Sequence, residues 1–147
     1  MSKPVTVQNS GLLRRFGAMF YDILLVCALM FLVTLPFIGY LGGEAVEPGT
    51  NPLLSVCLAI VVYGFFVGFW VKSGSTLGML AWGLRVELPN GQKPGLGAAS
   101  LRFVAALLAW VPLGLGFFWQ LWDKDRLTWH DRLSGTRLIH YPKSRNR

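Results

Sequence analysis

The residues able to do chemistry in this chain are few, and most sit against long apolar stretches. Asp22 lies about two helical turns inside one such stretch, with Arg15 seven residues before it. Arg85 and Arg102 flank later apolar segments, and His130 and Asp131 are neighbours in a basic tail. A charged residue at the centre of a bilayer costs about 2.5–3.5 kcal/mol on an insertion scale. Asp22 must therefore face protein or water, or carry a proton. Seven residues is about 10 Å of helix rise, so Arg15 shares a helix face with Asp22 but need not touch it. Arg102 and Arg85 are the interhelical partners expected for the carboxylate. Two chemistries suit such a group. Asp22 could bind a proton or cation, with arginines setting its pKa and His130 titrating near neutral pH at the cytoplasmic mouth. Alternatively, Asp22, Arg15 and Arg102 form a buried ionic network that fixes helix register, while Asp131 caps or tethers the tail through backbone amides or Arg85.

Other chemistries lack their residues. Side chains of adjacent residues usually diverge, so His130 and Asp131 are not by themselves a catalytic pair. The sequence contains no serine elbow, no metal-spaced cluster of His or Cys, and no phosphate loop with its lysine. Gly74-Ser75-Thr76-Leu77-Gly78 is glycine-rich but lacks the rest of a nucleotide motif and reads as a tight turn. Cys27 and Cys57 each fall within an apolar block, where a free cysteine behaves as a small hydrophobe. No enzyme activity, metal site or cofactor is expected.

The elements that must position these residues are apolar helices. Hydrophobic residues make up 53% of the 147 residues and charged residues 14%, against about 25% charged in a soluble domain. Residues 16–40 form a run long enough to span a bilayer with some tilt. Pro36, near its far end, can bend or stop that helix. Arg14 and Arg15 before the run could suggest an export signal, but the run is too long for a signal core, holds Asp22, and has no clear small-residue cleavage site after it. Residues 41–52 form a polar turn whose charges are Glu44 and Glu47. Residues 53–71 form a second span, in which Gly64 and Gly68 have the small-xxx-small spacing that lets helices approach.

Between the second and third apolar blocks, Leu84, Val86 and Leu88 alternate with Arg85 and Glu87, the period of a strand, and Pro89-Asn90-Gly91 signals a turn. Residues 136–141 also read as a strand and include His140, which is expected to face solvent or the interface. These two strands are expected to pair at the cytoplasmic surface. The third apolar block, residues 98–122, is interrupted by Pro112, Gly114 and Gly116. The net charge is +7, with Lys and Arg at the N-terminus, in the middle loop and in the tail, residues 123–147, but none in the first loop. The positive-inside rule then puts the N-terminus and middle loop in the cytoplasm. A single crossing by the third block would leave the basic tail outside. A hairpin folding back at residues 112–116, or a tilted, broken helix, leaves the tail cytoplasmic and is the favoured reading. Trp110, Trp119, Trp122 and Trp129 suit interfacial anchoring. Because the aromatics lie within the apolar blocks and the cations flank them, the charge points to anionic lipid head groups and not to nucleic acid.

Four motifs in order give this chain a family resemblance. Arg15, then Ala18, then Asp22 open the first helix; Gly74, Thr76 and Gly78 lead into Gly83-Leu84-Arg85-Val86; Arg102 starts the next helix; and His130-Asp131 precede Gly135-Thr136 before a hydrophobic strand. This pattern, covering residues 12–141, resembles the RDD family of bacterial membrane proteins. The family often carries a basic residue just after the loop glycine, where this chain has Met79. The resemblance implies a single domain over residues 1–147 in the bacterial cytoplasmic membrane. The expected fold is a small all-α, multi-pass bundle of two clear spans, a third broken helix or hairpin, and a short cytoplasmic two-strand element. The expected role is that of a structural or accessory component, with a subunit of an oligomeric ion or proton-coupled transporter using Asp22 as the alternative. The bilayer, its anionic head groups, other membrane proteins and further copies of the chain are the expected partners.

Overall fold

A computed structural model describes residues 8–43 and 49–141. Glu44, Glu47 and the last basic residues, Lys143, Arg145 and Arg147, lie outside the described residues. A two-residue strand β1 (Gln8–Asn9) precedes α1 (Leu12–Tyr40) and α2 (Pro52–Ser73). Then follow α3 (Leu77–Ala81), β2 (Leu84–Glu87), α4 (Leu96–Trp110), α5 (Leu115–Phe118), α6 (Trp129–Ser134) and β3 (Arg137–His140).

The two long helices, of 29 and 22 residues, extend about 43 and 33 Å at about 1.5 Å per residue. Both exceed the roughly 30 Å of a hydrocarbon core. Their composition and length suffice to cross a membrane. Their outward surface is apolar, with Phe20, Leu24, Phe31, Leu32, Val56 and Ile60 all more than half exposed, the pattern of helices solvated by lipid. Asn51 starts α2 by accepting the Leu54 amide at 3.1 Å with Pro52 behind it, and Gly74 at φ +76° ends it, a left-handed position that favours glycine.

The third apolar block is broken. The 15 residues of α4 reach only about 22 Å, and the chain from α5 through the 3-10 turn at Trp119–Leu121 leaves α4 at a 110° bend. The break falls at residues 111–114, where Leu113 and Gly114 both take positive φ.

The small sheet is larger than the expected pair of strands. Strands β2 and β3 pair antiparallel in the register Leu84 to His140 and Glu87 to Arg137. On the other edge of β3, β1 adds Gln8 to His140 and Asn9 to Ile139. The order β1-β3-β2 brings the start of α1, the chain after α2 and the tail to one end of the molecule. The core at this end is Ala18, Val67, Trp70, Met79, Leu84, Val86, Ala99 and Leu138. Its alanines let α1 and α4 sit close to their neighbours. By contrast, Gly64 and Gly68 have nothing within 4 Å of where a Cβ would stand, so they serve no close approach among the described residues.

Candidate functional site

Among the described residues Asp22, Glu87 and Asp131 are buried carboxylates; Glu87, on β2, meets Arg137 at 3.5 Å and accepts the Tyr141 hydroxyl at 2.9 Å, and the other two, which join the helices, are served differently. Asp131 is the third residue of α6, a helix set by a capping box between Thr128 and Asp131. The Thr128 amide donates to Asp131 Oδ2 at 3.2 Å. Arg15 Nη1, from the first turn of α1, reaches the same oxygen at 2.8 Å, and Arg102 Nη1, from α4, reaches Oδ1 at 2.6 Å. Arg102 Nη1 also donates to the Thr136 hydroxyl at 2.7 Å, and its guanidinium carbon lies 5.4 Å from the centre of the Trp70 ring. Arg15 adds longer bonds to the Thr128 hydroxyl and the Ser10 carbonyl, each 3.4 Å. All three charged side chains are at most 3% exposed. Burial alone would raise the Asp131 pKa; the charges of Arg15 and Arg102 outweigh it and hold the carboxyl well below the usual carboxylate range.

Asp22, 2% exposed, is met only by neutral donors among the described residues. Its Oδ2 accepts the Thr76 hydroxyl and its Oδ1 accepts the Gly78 amide at 2.9 Å. Thr76 also accepts the Met79 amide at 3.2 Å as the N-cap of α3. The carboxylate thus takes an amide that a helix start leaves without an intrahelical partner. The close approach requires glycine at position 78, because a Cβ there would collide with the Ala18 carbonyl and the Asp22 carboxyl.

The expectation that Arg15, Arg102 or Arg85 matches Asp22 is therefore corrected. Arg15 and Arg102 turn to Asp131, which lies in a different element and satisfies two cations with one carboxylate. Arg85 joins neither carboxylate, and its Nε is buried without a partner among the described residues. His130 is also not the near-neutral titrating group expected at a mouth. It is 5% exposed, and burial, with the Arg102 charge adding to it, lowers its pKa from 6.5 to about 3. Its Nε2 lies 3.0 Å from the Thr128 hydroxyl, and its ring packs at a 55° tilt against Phe117, centroids 4.9 Å apart. Gly135 takes φ +62° and ends α6, which lets Thr136 turn back to Arg102. Thr128 and Ser134 are part of the site but were not singled out from the sequence, where Thr76 was read only as part of the loop motif and not as a partner of Asp22. The Thr-x-x-Asp spacing of Thr128 and Asp131 was the available signal, since it marks a capping box before a helix.

Between α1, α2 and α4 lies a slot of about 280 Å³, lined by Arg15, Arg102, Trp70 and His130 near the sheet end and by mostly apolar residues, such as Phe103 and Leu107, beyond it. Asp22 also borders it. Among the described residues no group of His, Cys, Asp and Glu has the arrangement of a metal site.

The sequence profile of the RDD family matches residues 10–135. This chain belongs to the RDD family. An uncharacterized protein of Rickettsia prowazekii (strain Madrid E) is 28% identical over 90 residues, covering 60% of this chain. The aligned part is 50% of that relative's length, so the chain matches about half of it. No solved structure matches. As an RDD protein with two helices fit to cross a bilayer, the chain is a membrane protein. The RDD motifs in it resolve into two units, Arg15 and Arg102 with Asp131 and Thr136, and Asp22 with Thr76 and Gly78.

Proposed function

We propose that this RDD protein is a structural or accessory component of the bacterial cytoplasmic membrane, in which the Arg15–Asp131–Arg102 triad locks the chain after the last apolar segment onto the membrane helices. One observation carries the reading: Asp131, on the short helix α6, is held at once by arginines from α1 and α4. A triad of this kind specifies how elements fit together without consuming a substrate. The N-terminus, the middle loop and the tail would face the cytoplasm. The shared sheet supports placing them on one side, and Arg14, Lys72, Arg85, Lys93, Arg132 and Arg137 give that end the positive charge of a cytoplasmic face. The bent third segment fits the same topology, since α4 alone is too short to cross. The triad has no catalytic role in this reading.

One observation favours the alternative of proton-coupled transport: Asp22 borders the slot without a cationic partner among the described residues. Two spans and a bent segment do not enclose a path in one copy, so this reading also needs an oligomer. Ion and proton flux in vesicles of purified protein separates the two. The scaffold reading expects no flux from the wild type, and loss of stability or assembly in Asp131→Asn. Wild-type flux abolished by Asp22→Asn in a folded protein would replace the scaffold reading with transport. Topology is tested separately by Ser144→Cys in a background lacking Cys27 and Cys57. An impermeant thiol reagent should label it only after the cells are opened; labelling of intact cells would overturn the cytoplasmic tail.

A further inference from the structure

Four residues at the sheet end of the slot each carry a buried side-chain nitrogen with no hydrogen-bond partner among the described residues: Arg15 Nη2, Arg102 Nε, His130 Nδ1 and Trp70 Nε1. Each belongs to a residue that lines the slot and is at least nine-tenths buried. The first two and the indole are obligate donors. His130 Nδ1 is a donor by its neighbours. The Thr128 hydroxyl accepts from Arg15 and from the capping-box amide, so its one proton goes to His130 Nε2, which leaves the ring proton on Nδ1. Buried donors without acceptors are costly, and here they gather beside two arginines that share a single carboxylate. Within the triad one unit of positive charge is left over. The other nearby carboxylate, Asp22, stands seven residues along α1, about 10 Å of rise, with both oxygens already accepting.

The rest of the slot is of another character. It follows α1 through Ala18, Met19 and Ile23 and α4 through Phe103, Leu107 and Trp110. Both helices lead away from the sheet, so the donors lie at one end and the apolar walls extend from them along the helices. An occupant with an anionic oxygen at one end and a hydrocarbon chain at the other satisfies both parts. Basic pockets between membrane helices near a charged face hold acidic lipid head groups by the same chemistry.

We propose that the slot binds one amphipathic anion, its acidic head (a phosphate or carboxylate) taken by the Arg15, Arg102, His130 and Trp70 donors and one hydrocarbon chain lying between α1 and α4. The inference goes beyond the scaffold role and does not depend on it. The same head chemistry can come from an acidic phospholipid or from a free fatty acid, and the test separates them.

Purified protein in a nonionic detergent is titrated with phosphatidylglycerol, with palmitate, with phosphatidylcholine of matched chains and with inorganic phosphate, and adducts are counted by native mass spectrometry. A single saturable adduct with phosphatidylglycerol or with palmitate is expected, and which of the two binds identifies the source. Phosphatidylcholine and inorganic phosphate should bind at least about tenfold more weakly. Ala106→Phe fills the apolar part of the slot away from the triad and should weaken the anionic adduct by about tenfold or more. Leu107→Ala, which removes apolar contact from the same wall, is the second variant should Ala106→Phe fail to fold, and should also weaken the anionic adduct. Equal uptake of phosphatidylcholine, binding of inorganic phosphate as strong as that of the amphiphile, no anionic adduct at all, or an adduct unchanged in folded Ala106→Phe would each overturn the proposal. An adduct unchanged in folded Leu107→Ala would count against a chain lying along α4.

Discussion

Asp131 and Asp22 are buried to nearly the same degree, yet one sits between two guanidiniums and the other beneath a hydroxyl and a backbone amide. A buried carboxylate needs donors, and cations are one source of them. What each aspartate receives follows from what the chain delivers to it. Asp22 faces the start of α3, whose first amides lack intrahelical acceptors, and Thr76 caps that helix with the same hydroxyl that bonds the carboxylate. Asp131 starts a helix of its own and has only one backbone donor left to use, the Thr128 amide. The remaining capacity is open to long side chains from α1 and α4. The first arrangement fixes a loop against one helix; the second joins elements more than a hundred residues apart.

The largest effect is expected at the charged site. Asp131→Asn leaves two guanidiniums buried with no compensating charge, and removing one partner of a buried ion pair costs about 3–5 kcal/mol. A thermal midpoint in detergent within error of the wild type would break the distinction between the two sites. Gly78→Ala strikes the neutral site sterically, since its Cβ meets the Ala18 carbonyl and the Asp22 carboxyl. Overpacking of this kind costs about 1–3 kcal/mol, and the same substitution at Gly64, where space is open, should cost nothing measurable or stabilise α2 slightly. Thr76→Val removes both the donor to Asp22 and the cap of α3, at roughly 1–3 kcal/mol. Asp22→Asn should cost less than Asp131→Asn in the same assay, because no buried cation is left without its partner.

The last effect concerns pH. The His130 pKa is lowered to about 3 in the folded protein from 6.5. Below about 6.5 the unfolded chain takes up a proton that the folded one does not, so stability is full above that value and falls as the pH drops toward 3. Asp131, held below the ordinary carboxylate range, adds its own loss only below about pH 4. His130→Gln should therefore flatten the decline between about pH 6.5 and 4.5 and leave the steeper acid loss in place. An unchanged profile in that window would show that His130 is not buried neutral.

Much of this was legible in the sequence. The two long apolar helices, the broken third block and the pairing of β2 with β3 follow from hydropathy, from Pro112 with its glycines, and from the alternation of Leu84, Val86 and Leu88. Strand β1 was not, because Gln8 and Asn9 have no apolar alternation and are placed only by the edge of β3. The membership of the polar site was largely legible too, since Arg15, Asp22, Arg102, Asp131 and Thr136 all carry the family pattern. Who pairs with whom was not. Placing Asp22 in hydrocarbon suggested arginine partners, yet the pairing depends on α6 folding back beside α4 and α1, a tertiary fact that no local spacing encodes. The local clue lay in one cap, Thr128 before α6, whose spacing to Asp131 marks a helix start; Asp22 reaches the Thr76 cap of α3 from 54 residues away.

The central claim is that the arginines belong to Asp131 and not to Asp22, and double-mutant cycles measure it directly. Arg102→Gln is combined in turn with Asp131→Asn and with Asp22→Asn, and unfolding free energies are measured in one detergent. Groups in one ion pair couple by about 0.5–3 kcal/mol, and separated groups add within roughly 0.5 kcal/mol. Strong coupling of Arg102 to Asp131, with simple addition for Asp22, is the predicted result. Strong coupling of Arg102 to Asp22, with addition for Asp131, would contradict it.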